Sequence, residues 1–188
     1  VEQDLVASFI REVEQVHGRA VRARGSEEAL KVVVDTIRGV GARVVARTGL
    51  NEIDQEALDR ALEAEGIRVV ATDRGATVSA IAKADVGVTG ADFGIADTGT
   101  LGIFTRREID RLVSSLPFTH IALLPQDRLI PSLHKAEGLL QGEATQALKE
   151  GRGFTLSLIT GPSSTGDIEL NIVYGVHGPN DLRVVIIG

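Results

Sequence analysis

Two stretches carry the residues whose types and spacing could do chemistry. Val86–Ile103 reads VGVTGADFGIADTGTLGI: apolar enough to be buried, yet it holds Asp92, Asp97 and the hydroxyls of Thr89, Thr98 and Thr100 among five glycines. The second, Thr160–Pro179, has the same texture, with Ser163, Ser164, Thr165, Asp167, Glu169 and His177. A core strand does not need those polar groups, and a surface loop does not need so much valine and isoleucine. The pattern predicts backbone that enters the core, turns sharply and returns, displaying polar side chains at the turn.

Carboxylates in apolar, glycine-rich surroundings have raised pKa values and suit acid/base work. Asp97 and Glu169 are the candidate catalytic carboxylates, with His177, in its Gly/Pro loop, as the candidate base. Thr89, Asp92, Thr98, Thr100, Ser163, Ser164, Thr165 and Asp167 are the candidate ligand-binding groups. The competing reading is structural: Asp92 and Asp97 brace turns through their own backbone amides, and the 160s segment is an ordinary hydroxyl-capped turn. Carboxylate and hydroxyl oxygens could also take a magnesium-type ion, but no histidine pair has zinc spacing and no metal is expected. Among the other histidines, His120 falls in a buried strand and reads as a satisfied core residue. Arg106, Arg107 and Arg111 are the cations nearest the first stretch and could pair with an anionic ligand.

Composition narrows the classes. The chain has 188 residues, 43% of them apolar and 24% charged, so one domain with a sizeable core is expected. Its net charge of −6, without a lysine or arginine run, argues against general nucleic-acid binding. No stretch reaches the ~18 apolar residues of a membrane span, and the amphipathic N-terminus is unlike a signal peptide, so a cytoplasmic location is expected. There is no cysteine, which excludes disulfides, thiolate catalysis and a self-contained iron–sulfur cluster. There is no methionine either, even at position 1, so the natural start is expected to lie outside this chain.

The elements that must position these residues follow from periodicity. Leu5, Phe9, Val13 and Val16 share a helical face that Gly18 terminates. Strand-like Arg19–Arg24 precedes a helix from Ser26 to Ile37, with Ser26 as its cap. Val44–Ala46 is a strand, a helix capped by Asp54 ends at Gly66, and Ile67–Ala71 is a strand again. A short helix over Ala76–Ala84, a strand over Thr119–Leu124, a long helix capped by Ser132, a buried strand over Leu156–Thr160 and a last strand over Leu182–Ile187 complete the chain. Such alternation predicts an α/β fold with a mostly parallel sheet flanked by helices. Ligands in such folds collect beyond the carboxyl ends of strands, where the Thr160 loop is expected to sit.

Several runs, in order, resemble the LUD-domain family, and its lactate-utilization branch most. They are Gly87-Val88-Thr89-Gly90-Ala91-Asp92-Phe93-Gly94-Ile95-Ala96-Asp97-Thr98-Gly99-Thr100, Arg111-Leu112-Val113-Ser114-Ser115-Leu116-Pro117 with the His120 strand, Thr160-Gly161-Pro162-Ser163-Ser164-Thr165-Gly166-Asp167-Ile168-Glu169, and Gly175-Val176-His177-Gly178-Pro179. The resemblance covers roughly residues 84 to 188; the first 80 match in layout only. It implies the fold of CoA transferases, ribose-5-phosphate isomerase and glucosamine-6-phosphate deaminase. It also implies a part in oxidising L-lactate to pyruvate beside iron–sulfur partner proteins, with no cofactor on this chain and a small carboxylate as ligand. The family pattern has arginine at the position of Ser164 and alanine at that of Gly166; the arginine's loss removes its most obvious carboxylate-binding cation. Two alternatives stay open: a stand-alone transferase or isomerase acting on a CoA ester or sugar phosphate, and a small-acid-binding regulatory module.

Overall fold

A computed structural model describes residues 4–166, 172–174 and 178–188. Helix α1 (Leu5–Gln15) is capped by Asp4, whose carboxylate accepts the N–H groups of Val6 and Ala7, and it buries Phe9 and Val13 completely. Then come β1 (Arg19–Ala23), α2 (Ser26–Gly39), β2 (Val44–Arg47), α3 (Gln55–Ala64), β3 (Arg68–Ala71), α4 (Val78–Ile81) and β4 (Val86–Gly90). Asp54 caps α3 as expected, accepting from Ala57 N–H at 2.9 Å. Ser26 does not cap α2: it is the first helical residue, and the cap position falls on Gly25, with no side-chain cap bond.

The Val86–Ile103 stretch does enter, turn and return. β4 is followed by β5 (Phe93–Ile95), a tight turn and the antiparallel β6 (Thr100–Thr105). Gly99 holds the turn at φ +61°, and a Cβ there would lie 2.5 Å from Val13 N. After α5 (Glu108–Val113), β7 (Thr119–Pro125) and β8 (Leu129–Ile130), a 3₁₀ turn at Leu133–Ala136 leads into α6 (Glu137–Glu150). Ser132 makes no cap bond, so the long helix begins later than the sequence suggests. The chain ends with β9 (Thr155–Thr160), β10 (Ser164–Gly166), β11 (Ile172–Tyr174) and β12 (Asp181–Ile187).

Six strands form a parallel sheet in the order β1-β12-β7-β4-β2-β3. Side-chain alternation gives it two apolar faces. Val45, Val86, Val88, Ile121, Leu123 and Val185 pack under α2 and α3, where Ile37, Leu58 and Leu62 are wholly buried. Each such side chain contributes about 1.5–3 kcal/mol by leaving water. On the other face, Ala122, Leu124, Val184 and Ile186 pack against α1 and the β5–β6 hairpin, and Ala46 packs against α4 and α5.

A second, four-stranded sheet, β8-β5-β6-β9, covers part of that other face. Here the sequence misleads. β9 pairs antiparallel with β6, outside the parallel sheet, and its residues are half-buried or exposed rather than core. Its apolar residues are divided between the two faces of a covering sheet, Ile159 packing with the α1 cluster and Leu156 with the Phe93 cluster. The Thr160 loop therefore does not lie beyond a carboxyl end of the parallel sheet. No helix among the described residues is long and apolar enough to cross a membrane.

Candidate functional site

The chain passes from β2 outward to β3 and then back inside to β4. That reversal opens a crevice between the carboxyl ends of β2 and β4, the position where α/β sheets gather ligands. A cavity of about 500 Å³ lies there. The loop after β2 supplies Thr48, Asn51 and Glu52; β4 and its turn supply Thr89 and Asp92; the end of β6 supplies Arg106 and Arg107; Arg128 closes one side.

Glycine makes this wall possible at two points. A Cβ on Gly87 would lie 1.9 Å from Val113 O, so the backbone of α5 rests directly on β4. One on Gly90 would lie 2.7 Å from Glu52 Oε1, in the space the carboxylate occupies. Below the loop, Arg47 is fully buried and forks onto Asp59 at 2.8 and 2.7 Å. Its Nη1 donates to Thr48 O, Gln55 Oε1 and Asp73, and Gln55 Oε1 also accepts Leu50 N–H. This network fixes the backbone that carries Thr48, Asn51 and Glu52.

Asp92 Oδ2 accepts the N–H of Phe104 at 2.7 Å. Burial pushes its pKa above the usual carboxylate value; the Phe104 N–H and the charges of Arg128 and Arg106 oppose the shift. A carboxyl perturbed in this way, in a cavity, is a candidate for proton exchange. The arginines are engaged to different degrees. Arg107 is forked onto Asp110 and bonded to Thr72, and Arg106 is forked onto Glu143 at 3.1 and 2.9 Å. Among the described residues, Arg128 has Ala91 O at 3.4 Å and Glu52 at 3.8 Å, long contacts that an anion can replace.

A second cavity, about 410 Å³, lies between α5, β9 and β12. Ser163 and Ser164 line it, as do Arg111 and His120. His120 is fully buried; its Nε2 lies 2.9 Å from Thr89 Oγ1, and its Nδ1 has no partner among the described residues. The expected satisfied core histidine is thus only half satisfied. Burial pushes its pKa down to about 4.

The predicted residues are therefore dispersed. Thr89 and Asp92 reach the first cavity, Ser163 and Ser164 the second. Thr98 and Thr100 bond each other at 2.8 Å, and Thr100 bonds Thr160 at 2.8 Å, a hydroxyl chain that ties β6 to β9. Asp97 is exposed at the hairpin turn, where its N–H donates to Pro131 O, and it lines neither cavity. Asp167, Glu169 and His177 lie outside the described residues, as does the side chain of Thr165. Sequence reasoning missed Glu52, Arg128 and Asp110. The loop directly after the buried β2 was the available signal for Glu52; Arg128 arrives only through tertiary folding.

A family model for the LUD domain matches residues 6–187. The lactate utilization protein C of Anoxybacillus flavithermus is 28% identical over 189 residues, which is 99% of this chain and 81% of that protein. That of Bacillus subtilis is 32% identical over 105 residues, 56% of this chain but only 43% of its own length. A crystal structure of a DUF162 family protein from Deinococcus radiodurans superposes with a TM-score of 0.65 at 19% identity, covering 98% of this chain and 96% of that one, so the fold is shared.

Proposed function

Because the chain belongs to the LUD-domain family, we propose that it takes part in lactate utilization and holds a small carboxylate in the cavity between β2 and β4. The observation that carries this reading is the match of nearly its whole length to a lactate utilization protein C. Arg128, with its long contacts, is the cation for the carboxylate, and Asp92 beside it exchanges a proton with the substrate oxygen.

Oxidising lactate to pyruvate releases two electrons and two protons. With no cysteine, this chain has no thiolates for an iron–sulfur cluster or a dithiol. In this reading it is the non-redox member of a system whose iron–sulfur partner proteins take the electrons. Glu169 and His177 stay in the proposal as further proton-transfer groups.

Calorimetric titration with L-lactate and pyruvate tests the site. Arg128→Ala is expected to weaken binding at least tenfold, about 1.4 kcal/mol. Wild-type protein that binds neither acid, or that oxidises lactate unaided, would sink the reading. The first cavity is larger than a three-carbon acid needs, which favours a second reading: a transferase or isomerase for a CoA ester or sugar phosphate. Turnover of such substrates, lost in Asp92→Asn, would select it.

A further inference from the structure

Away from both cavities, the six-stranded sheet ends in a strand whose outer edge is open. β1 is the terminal member of the order β1-β12-β7-β4-β2-β3, and among the described residues β12 is its strand partner. Ala23 O accepts Gly188 N–H at 3.0 Å, so the backbone of Ala23 faces β12. Backbone polar groups alternate sides along a strand, so Arg19 and Val21 face β12 as well. The N–H and C=O of Ala20 and Arg22 therefore point off the sheet, and no hydrogen bond among the described residues takes them. At the far end Glu28 Oε2 accepts Arg24 N–H at 2.8 Å, which closes the edge there.

This open edge is basic, on a molecule of net charge −6. Arg19, Arg22 and Arg24 are all exposed, and the strand contains no acidic residue. Arg24 pairs with Glu28, but neither Arg19 nor Arg22 has an ion pair among the described residues. Val21, 46% exposed, stands on the opposite face of the sheet from Arg22. Cationic side chains guard a free edge against indiscriminate pairing. They also disfavour a second copy of this chain. β1 laid on β1 sets arginine against arginine, and the opposite edge strand, β3, opens on the exposed Arg68. What the edge favours is a strand of the opposite charge.

We infer that β1 is the docking edge for an acidic, extended segment of a partner protein, which adds a strand to the sheet. Its backbone bonds the outward groups of Ala20 and Arg22, which supplies affinity. Acidic residues at alternate positions lie beside Arg22 and Arg24, and the apolar residues between them cover Val21, which supplies specificity. No β1 residue lines either cavity described above, so this docking edge stands or falls independently of the lactate reading.

The probe is a fluorescein-labelled hexapeptide of alternating glutamate and valine, titrated at low salt and read by anisotropy. Three controls accompany it: the same peptide with every amide N-methylated, its lysine–valine counterpart, and polyglutamate. Each is expected to bind at least about tenfold more weakly. Amide exchange in ¹⁵N-labelled protein locates the contact: Ala20 and Arg22 gain protection with saturating peptide, and the strands around both cavities do not. Arg22→Ala, which removes the charge, is expected to raise the Kd about threefold, and Arg22→Glu about tenfold. Arg22→Pro also deletes the outward N–H, at an edge position where proline spares the β12 ladder, and is expected to lose a further tenfold or so. Should Arg22→Pro not fold, Arg22→Glu and the N-methylated peptide still separate charge from strand pairing. The inference is overturned if the hexapeptide does not bind, for the arginines then only guard the edge. It is equally overturned if polyglutamate or the N-methylated peptide binds as well, which reduces the contact to charge alone, or if protection appears elsewhere than at Ala20 and Arg22.

Discussion

The two cavities stand on either side of one hydrogen bond, Thr89 to His120, and are built on opposite plans. The first collects charges: Glu52, Asp92 and Asp110 face Arg106, Arg107 and Arg128 at the carboxyl ends of parallel strands. The second is hydroxyl-rich and nearly uncharged, lying between a helix and the antiparallel β9. Each contains a titratable group that burial drives towards neutrality, a half-buried carboxyl in the first and a buried imidazole in the second. Similar sequence textures thus produced different environments, because strand context decides what surrounds a polar side chain.

The largest effect that should separate them is at Arg47. Arg47→Ala leaves Asp59 buried without its fork and is expected to cost about 3–5 kcal/mol in urea unfolding. Hydrogen exchange should show the loss concentrated in the loop at Thr48–Glu52, with the second cavity's strands protected up to the new global limit. Equal loosening of both cavities would break the comparison.

Next comes pH. His120 has a folded-state pKa of about 4 against an ordinary 6.5, so its contribution is full above pH 6.5 and falls as pH drops towards 4. The total is about 3 kcal/mol, and the difference in unfolding free energy between wild type and His120→Gln across that window isolates it. Asp92 has the opposite sign. Its pKa is raised above 3.8, so its contribution is present below that value and is lost as pH rises through the folded-state value. Asp92→Asn should therefore gain stability relative to wild type on the alkaline side. Parallel slopes for the two variants would refute the contrast.

The smallest effect sharpens the boundary itself. Thr89→Val keeps the shape but leaves both imidazole nitrogens unpaired, and should cost about 1–2 kcal/mol by thermal unfolding. A change below experimental error would mean that Thr89 contributes packing alone.

Much of the fold was legible. The Leu5, Phe9, Val13 face, the Asp54 cap and the alternation of strands with helices each depend on residues close in sequence, and each is found as read. The misreadings share one cause. The Leu156–Thr160 run has the same composition whether it is a core strand or a strand of a covering sheet, and Ser132 resembles a cap although a 3₁₀ turn intervenes.

By itself, the sequence determined local conformation and the two polar, glycine-rich segments, because periodicity, capping and turn chemistry act over a few residues. Which of their side chains face a common space was decided only by the tertiary structure. Strand order sets the crevice between β2 and β4, and that order arises from contacts between residues far apart in the chain. Glu52 and Arg128 come together across 76 positions, Thr89 and His120 across 31. Meanwhile Thr98 and Thr100, set within the first of the two candidate stretches, spend their hydroxyls on each other and on Thr160.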